Sequence, residues 1–258
     1  MAFANCQRFG SLVLETDVRV TRDGQLVVFH DPSLERVTNG HGLVSEHGLD
    51  ELRKLDAGYW FTTDGRHHPW RGSGQRILTL DELFAAFPQH HYNIELKAGK
   101  QAPALMWQAI QRHRMWDRVL VAAADHALMR AFRELSGGRV ATSASRLEAL
   151  RFLAFHALRT TGTRSFPYDA LQLPWEIHGF RLIRHSLVEA AHRSRLQLHV
   201  WTVNEPAEMR RLLSLGVDGI MSDFPDRLVR TLAHHANSRS PDPAASPKKH
   251  EEPSRRPK

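Results

Sequence analysis

Cysteine is nearly absent. Of 258 residues only Cys6 carries a thiol, which excludes an internal disulfide framework and a metal centre built from thiolates. One unpaired thiol suits a reducing compartment, and a cytoplasmic location is the expectation. Long hydrophobic runs are missing too, so no segment has the length of a membrane-crossing helix. The opening "MAFANCQRFG" lacks the build of a secretory signal and reads as the closing turns of an amphipathic helix ended by Gly10. Residues 237–258 lack any periodic apolar face and hold five prolines. They are expected to form a disordered, basic, proline-rich tail.

What is present has globular proportions. Hydrophobic residues make up 41% and charged residues 24%, values that exclude gross disorder over most of the chain. The net charge is +7, of which residues 238–258 supply +3 through six Lys/Arg against three acids. The remaining +4 suits an anionic substrate, although scattered surface arginines give the same figure. With no stacking-aromatic motif and no known binding fold, nucleic acid is not expected as a partner.

Seven apolar stretches read as strands: 12–18, 92–97, 118–123, 139–144, 170–174, 196–203 and 219–223. Amphipathic helices lie between most of them, with sound end signals. Thr79 with Glu82 and Ser145 with Glu148 have capping-box spacing, and Asn204-Glu205-Pro206 can open a helix that Gly216 closes. Repeated strand–helix units argue for parallel strands with right-handed crossovers. The economical fold is an α/β TIM (β/α)8 barrel over residues 1–236 that lacks its first strand. A doubly wound open sheet has the same strand count and stays open as a competitor. Residues 32–76 break the rhythm with turn formers, and are read as a small insertion after the second strand of the complete barrel. The glycines of "RGSGQR" within it could cradle a phosphate but are weighted as a turn.

The chemistry concentrates on two strands. Glu15 and Asp17 are two apart and share a face, as do Asn93, Glu95 and Lys97 in "YNIELK". Each set alone resembles a half-exposed strand, where an ion pair contributes little. A parallel sheet covered by helices changes that reading, because two inward carboxylates repel and lose hydration unless a cation lies between them. Three hard carboxylates, Glu15, Asp17 and Glu95, suit Mg2+ or Ca2+. In "RDGQLVVFHD" the Asp23-Gly24 turn reverses the chain, so His30 can return to the end of the strand holding Asp17. Seventeen histidines are present, so position rather than residue type singles out His30.

The run from "AFANCQRFG" through "ETD", "HD" and "NIELK" to "VWTVNEPAEMRRLLSLGVDGIMSDFPD" resembles the glycerophosphodiester phosphodiesterases over nearly all of residues 2–230. The resemblance implies a TIM barrel with Glu15, Asp17 and Glu95 as metal ligands and His30 as one of two catalytic histidines. It further implies Lys97 as a catalytic and phosphate-side contact and Trp201 as part of the substrate wall. The expected reaction is metal-dependent hydrolysis of a glycerophosphodiester to glycerol 3-phosphate and an alcohol. Whether His30 acts as acid or base stays open, with the acid's part preferred. The family pattern begins with a strand bearing His-Arg-Gly, and this sequence contains no such tripeptide. Turnover is therefore expected to be weak or absent, and a non-catalytic barrel that binds the metal or the diester is the alternative.

Overall fold

Alternation makes the first strand. Along β1 (Val13–Val20), Leu14, Thr16, Val18 and Val20 are buried while Glu15 is exposed and Asp17 and Arg19 are half-buried. The even residues pack against helices and the odd ones look into the barrel. The computed structural model describes residues 2–10 and 13–239. After β1 the chain turns at Gly24, whose φ of 78° suits glycine. It returns as β2 (Leu26–Val28), antiparallel to β1 with Val18 opposite Val28.

The remaining strands are β3 (His91–Leu96), β4 (Val119–Ala122), β5 (Ala141–Thr142), β6 (Ala170–Pro174), β7 (Glu176–Ile177), β8 (Phe180–Arg181), β9 (Gln197–Trp201) and β10 (Gly219–Ile220). Strands β1, β3, β4 and β5 pair in parallel, as do β6, β9 and β10, and a parallel bridge from Ser143 to Ala170 links the two sheets. Among the parallel strands spatial order follows chain order, with β2 at the outer edge beside β1. A doubly wound sheet reverses direction partway, so the open-sheet competitor is set aside in favour of the barrel. Seven parallel strands are present, as the sequence reading expects, and among the described residues no parallel strand joins β10 to β1. The short β7–β8 hairpin was not anticipated; His178 and Gly179, both at positive φ, turn it. Strands expected over 139–144 and 219–223 shrink to two residues each.

Helices α1 (Ala2–Arg8), α2 (Leu49–Leu52), α3 (Leu80–Ala86), α4 (Ala102–His113), α5 (His126–Ser136), α6 (Arg146–Ala157), α7 (His185–Arg193), α8 (Pro206–Leu215) and α9 (Pro225–Arg239) surround the strands. Thr79 and Ser145 cap α3 and α6 with the expected boxes, and Gly216 ends α8 at φ 87°. Helix α1 lies against α9, bringing the two ends of the helical ring together. The expected tail begins too early: Asn237, Ser238 and Arg239 belong to α9. No proline interrupts the helix before Pro241, so nothing in the chain stops it at Asn237. The rest of that tail lies outside the described residues.

The insertion has its own small core, in which Leu34, Val44 and Leu52 are buried against Val27 and Phe29. Within it Gly72 and Gly74 serve a turn, and the Gly72 N–H is taken by Asp56 Oδ2 at 2.7 Å. Larger clusters lie around β1–β4 and around β6–β9. A buried ion pair stands beside the bridge linking the sheets: Arg133 donates to both Glu148 oxygens at 2.6 and 3.1 Å and to the Ser143 carbonyl at 2.8 Å. Ser145 adds its amide and hydroxyl, each 2.8 Å from Glu148 Oε2. Removing one partner of a buried pair strands the other charge. Glu148→Ala should therefore cost about 3 kcal/mol or more, and Ser145→Ala only about 1 kcal/mol as a lost cap. Urea unfolding followed by circular dichroism checks both, and equal costs would contradict this account of the seam.

Candidate active site at the mouth of the barrel

Register brings the acids together. In the parallel β1–β3 pair, Glu15 stands opposite Asn93 and Asp17 opposite Glu95. The side chains of these four residues share the inward face, while Leu14, Val18, Ile94 and Leu96 enter the core behind them. Lys97, just beyond β3, continues the inward row. Its Nζ lies 3.0 Å from Asp17 Oδ1 and 2.8 Å from Glu95 Oε2. These side chains retain only 18%, 15% and 29% exposure for lysine, aspartate and glutamate, so water screens the pairs far less than on an open surface. Burial works against the Lys97 charge, but hydrogen bonds to Glu95 and Asp17 outweigh it and raise its pKa above the ordinary lysine value.

Among the described residues the Glu15 carboxyl has no such hydrogen-bonded partner. Protein surrounding its carboxyl, then the charges of Asp17 and Glu95, push its pKa up to about 7 against the relief given by Lys97; Asp223 adds a smaller push. The residue also faces the solvent-open part of the barrel, so water shares in stabilising its charge. Among the described residues no three His, Cys, Asp or Glu side chains converge as a ready metal cage. Lys97 is the cation that stands between Asp17 and Glu95.

The hairpin delivers His30 to this place. The Phe29 amide donates to the Asp17 carbonyl at 3.0 Å, and Arg19 Nε donates to the His30 carbonyl at 2.9 Å. The His30 ring is 61% exposed, with Nδ1 2.6 Å from Asp31 Oδ1. Arg36, hydrogen-bonded to the same carboxylate, holds Asp31 well below the usual carboxylate range, and His30 reinforces the effect. An ionised Asp31 fixes the proton on Nδ1 and leaves the lone pair on Nε2. Trp201 ends β9 on the row of Gln197 and His199 and is half exposed, while Leu198 and Val200 fill the core behind.

A polar layer occupies the barrel beside the acids. Gln172 Nε2 donates to Asn93 Oδ1 at 2.9 Å, and His199 Nε2 lies 2.9 Å from Gln197 Oε1. Gly219 makes room for the imidazole, since a Cβ there would sit 2.8 Å from His199 Cδ2. Burial lowers the pKa of His199, favouring its neutral ring, and Asp218 opposes that only in part.

Every residue singled out from the sequence, Glu15, Asp17, His30, Glu95, Lys97 and Trp201, stands at the inward row or at the strand ends. Three contributors were missed. Arg19 and Asp31 brace His30, and Asp223 bears on Glu15 from beyond β10. An acid at the C-terminal end of a parallel barrel strand is itself a signal, and "GIMSD" carried it.

Glu15 makes stability depend on pH with a definite sign. Between its ordinary pKa of 4.5 and about 7, the folded protein holds a proton that the unfolded chain has released. Stability from this group therefore falls as pH rises through that window. Glu15→Gln should remove the decline and be the more stable protein above pH 7, as denaturant titrations over a pH series would measure. An unchanged pH profile in the variant would contradict the assignment.

The model of the Glycerophosphoryl diester phosphodiesterase family matches residues 1–227. A glycerophosphodiester phosphodiesterase of Caldanaerobacter subterraneus subsp. tengcongensis is 30% identical over 236 residues, covering 88% of each chain. Among solved structures, the glycerophosphoryl diester phosphodiesterase domain of a Mycobacterium tuberculosis protein superposes with a TM-score of 0.76 at 20% identity, over 90% of this chain and 92% of that one. A phosphodiesterase of Oleispira antarctica, in complex with its product sn-glycerol-3-phosphate, gives a TM-score of 0.72 at 22% identity, over 90% and 89%. At these identities the two structures speak for the shared fold.

Proposed function

Because the chain belongs to the glycerophosphoryl diester phosphodiesterase family, we propose that its site is built for metal-assisted hydrolysis of a glycerophosphodiester to glycerol 3-phosphate and an alcohol. The observation that carries the proposal is the β1–β3 register, which sets Asp17 against Glu95 with Lys97 between them and Glu15 alongside. The donor set fits a hard divalent cation, Mg2+ or Ca2+: all three side chains offer carboxylate oxygens, and the raised pKa of Glu15 reports negative charge that a cation would relieve. Glu15, Asp17 and Glu95 would hold it. When bound, such an ion withdraws charge from a phosphoryl oxygen.

The chain's own residues supply the rest. Lys97 has three N–H donors, two of them engaged by Asp17 and Glu95, and the third is available for a phosphate oxygen. His30 moves the proton at Nε2. Asp31, 2.6 Å from Nδ1, holds the ring so that Nε2 can pass a proton to the departing alcohol. Trp201 offers an apolar wall to the glycerol carbons. The 258 residues supply one of the two histidines in the proposed mechanism and no His-Arg-Gly, so turnover by this chain is expected to be weak.

Two experiments test the reading. Glu95→Gln should lower Mg2+ or Ca2+ affinity, read by isothermal titration calorimetry, together with glycerophosphocholine hydrolysis. Normal metal binding in that variant would sink the ligand assignment. Adding an N-terminal strand with His-Arg-Gly should raise the rate by about 10²–10⁴, the usual worth of a positioned acid or base. His30→Ala in the extended chain should lose a similar factor. Equal rates with and without the added strand would rule out the two-histidine mechanism.

A further inference from the structure

The insertion carries a surface that the hydrolytic site does not use. Trp60 and Phe61 stand 47% and 49% exposed at the turn-rich end of this segment. Adjacent large apolar side chains left in water mark a contact surface more often than a solvated loop does. The surface is built rather than loose. The Ala57 amide donates to the Gln75 carbonyl at 2.9 Å, and Gly72 N–H to Asp56 Oδ2 at 2.7 Å, tying the two arms of the loop together. Tyr59 and Trp60 pack edge to face at 4.9 Å, and the Arg71 guanidinium covers both rings at 4.2 and 5.1 Å.

The segment that bears this apolar tip is net positive. Residues 53–76 hold five Lys/Arg against two acids. Both acids are turned to the loop's own groups: Asp56 accepts from the Gly58 and Gly72 amides, and Asp64 from the Arg66 and His67 amides. Lys54, Arg66 and Arg76 are exposed. Exposed aromatic side chains on a segment that also exposes cations are the composition that seats at the boundary of an anionic bilayer, rings among the acyl ends of the headgroups and cations at the phosphates. Base stacking fits less well, because Arg71 already covers the Tyr59 and Trp60 rings.

We propose that the Trp60–Phe61 tip and its basic surround dock this protein on an anionic phospholipid surface. The insertion leaves the barrel immediately after His30 and Asp31 and rejoins the hairpin where Val28 N–H meets the Leu78 carbonyl at 2.8 Å. Docking therefore couples the membrane directly to the hairpin that carries His30. The docking does not rest on the reading under Proposed function.

The test is co-sedimentation of the 258-residue protein with phosphatidylcholine vesicles, with and without phosphatidylserine, across a salt series. The unsubstituted protein should pellet on the phosphatidylserine vesicles, less so as salt rises, with a blue shift of tryptophan fluorescence. The pair Trp60→Ala with Phe61→Ala should weaken partition roughly tenfold and leave hydrolysis of soluble glycerophosphocholine unchanged. Arg66→Glu should weaken the phosphatidylserine-dependent part about fivefold. Trp60→Phe should retain binding, which separates loss of the surface from loss of the fold. His30→Ala should bind vesicles normally, so failure of the hydrolytic reading leaves this test intact. No partition by the folded protein, or equal partition by the double variant, would overturn the proposal. So would a dimer in sedimentation velocity that the double variant abolishes, since the tip would then be a contact between copies.

Discussion

Two carboxylates set side by side in a barrel are tenable only with a cation between them, and in this chain that cation is Lys97. Its ammonium meets Asp17 from one strand and Glu95 from the next, so it joins β1 to β3 through side chains as the backbone ladder does through amides. The pairing leaves Glu15 only partly compensated by Lys97, and the cost appears in its raised pKa. Electrostatic tension of this kind concentrates where a protein handles charged ligands. A divalent ion and a phosphodiester would bring the missing charges of both signs.

The hairpin that follows β1 brings an imidazole to the rim of this acidic site. Antiparallel pairing returns the chain along Val18–Val20 and puts Phe29 against the Asp17 carbonyl. His30 then stands at the acids without any further strand. Arg19 reaches it from β1 by the His30 carbonyl, and Asp31 with Arg36 settles its ring. The insertion grows from the same place and packs its small core back onto Val27 and Phe29. His30, the hairpin and the exposed loop are thus continuous in the chain and packed together.

The polar layer inside the barrel has a supporting part. Asn93, Gln172 and His199 come from β3, β6 and β9 and touch across the interior. Buried polar groups that satisfy one another specify position more strictly than apolar packing does. The layer ties strands from both hydrophobic clusters to one spacing beside Asp17 and Glu95, and Gly219 is the small residue that lets the imidazole fit.

The sequence by itself determined what depends on neighbours along the chain. Period-two alternation marked the inward row of Glu15 and Asp17 and that of Glu95 and Lys97; the Ser145 and Thr79 boxes marked helix starts; Asp23-Gly24 marked the reversal that returns His30. Each is a local rule of backbone geometry and hydrogen bonding. Three matters waited for the tertiary structure. That Asp17 faces Glu95, and not a residue one step along, is a register set by the packing of both strands. The direction of strand order, which separates a barrel from an open sheet, is a property of the whole chain. Arg19 meets the His30 carbonyl and Asp31 the His30 ring by direct hydrogen bonds that need the folded hairpin, while Asp223 acts on Glu15 through space, since a charge acts over distance whatever the separation along the chain.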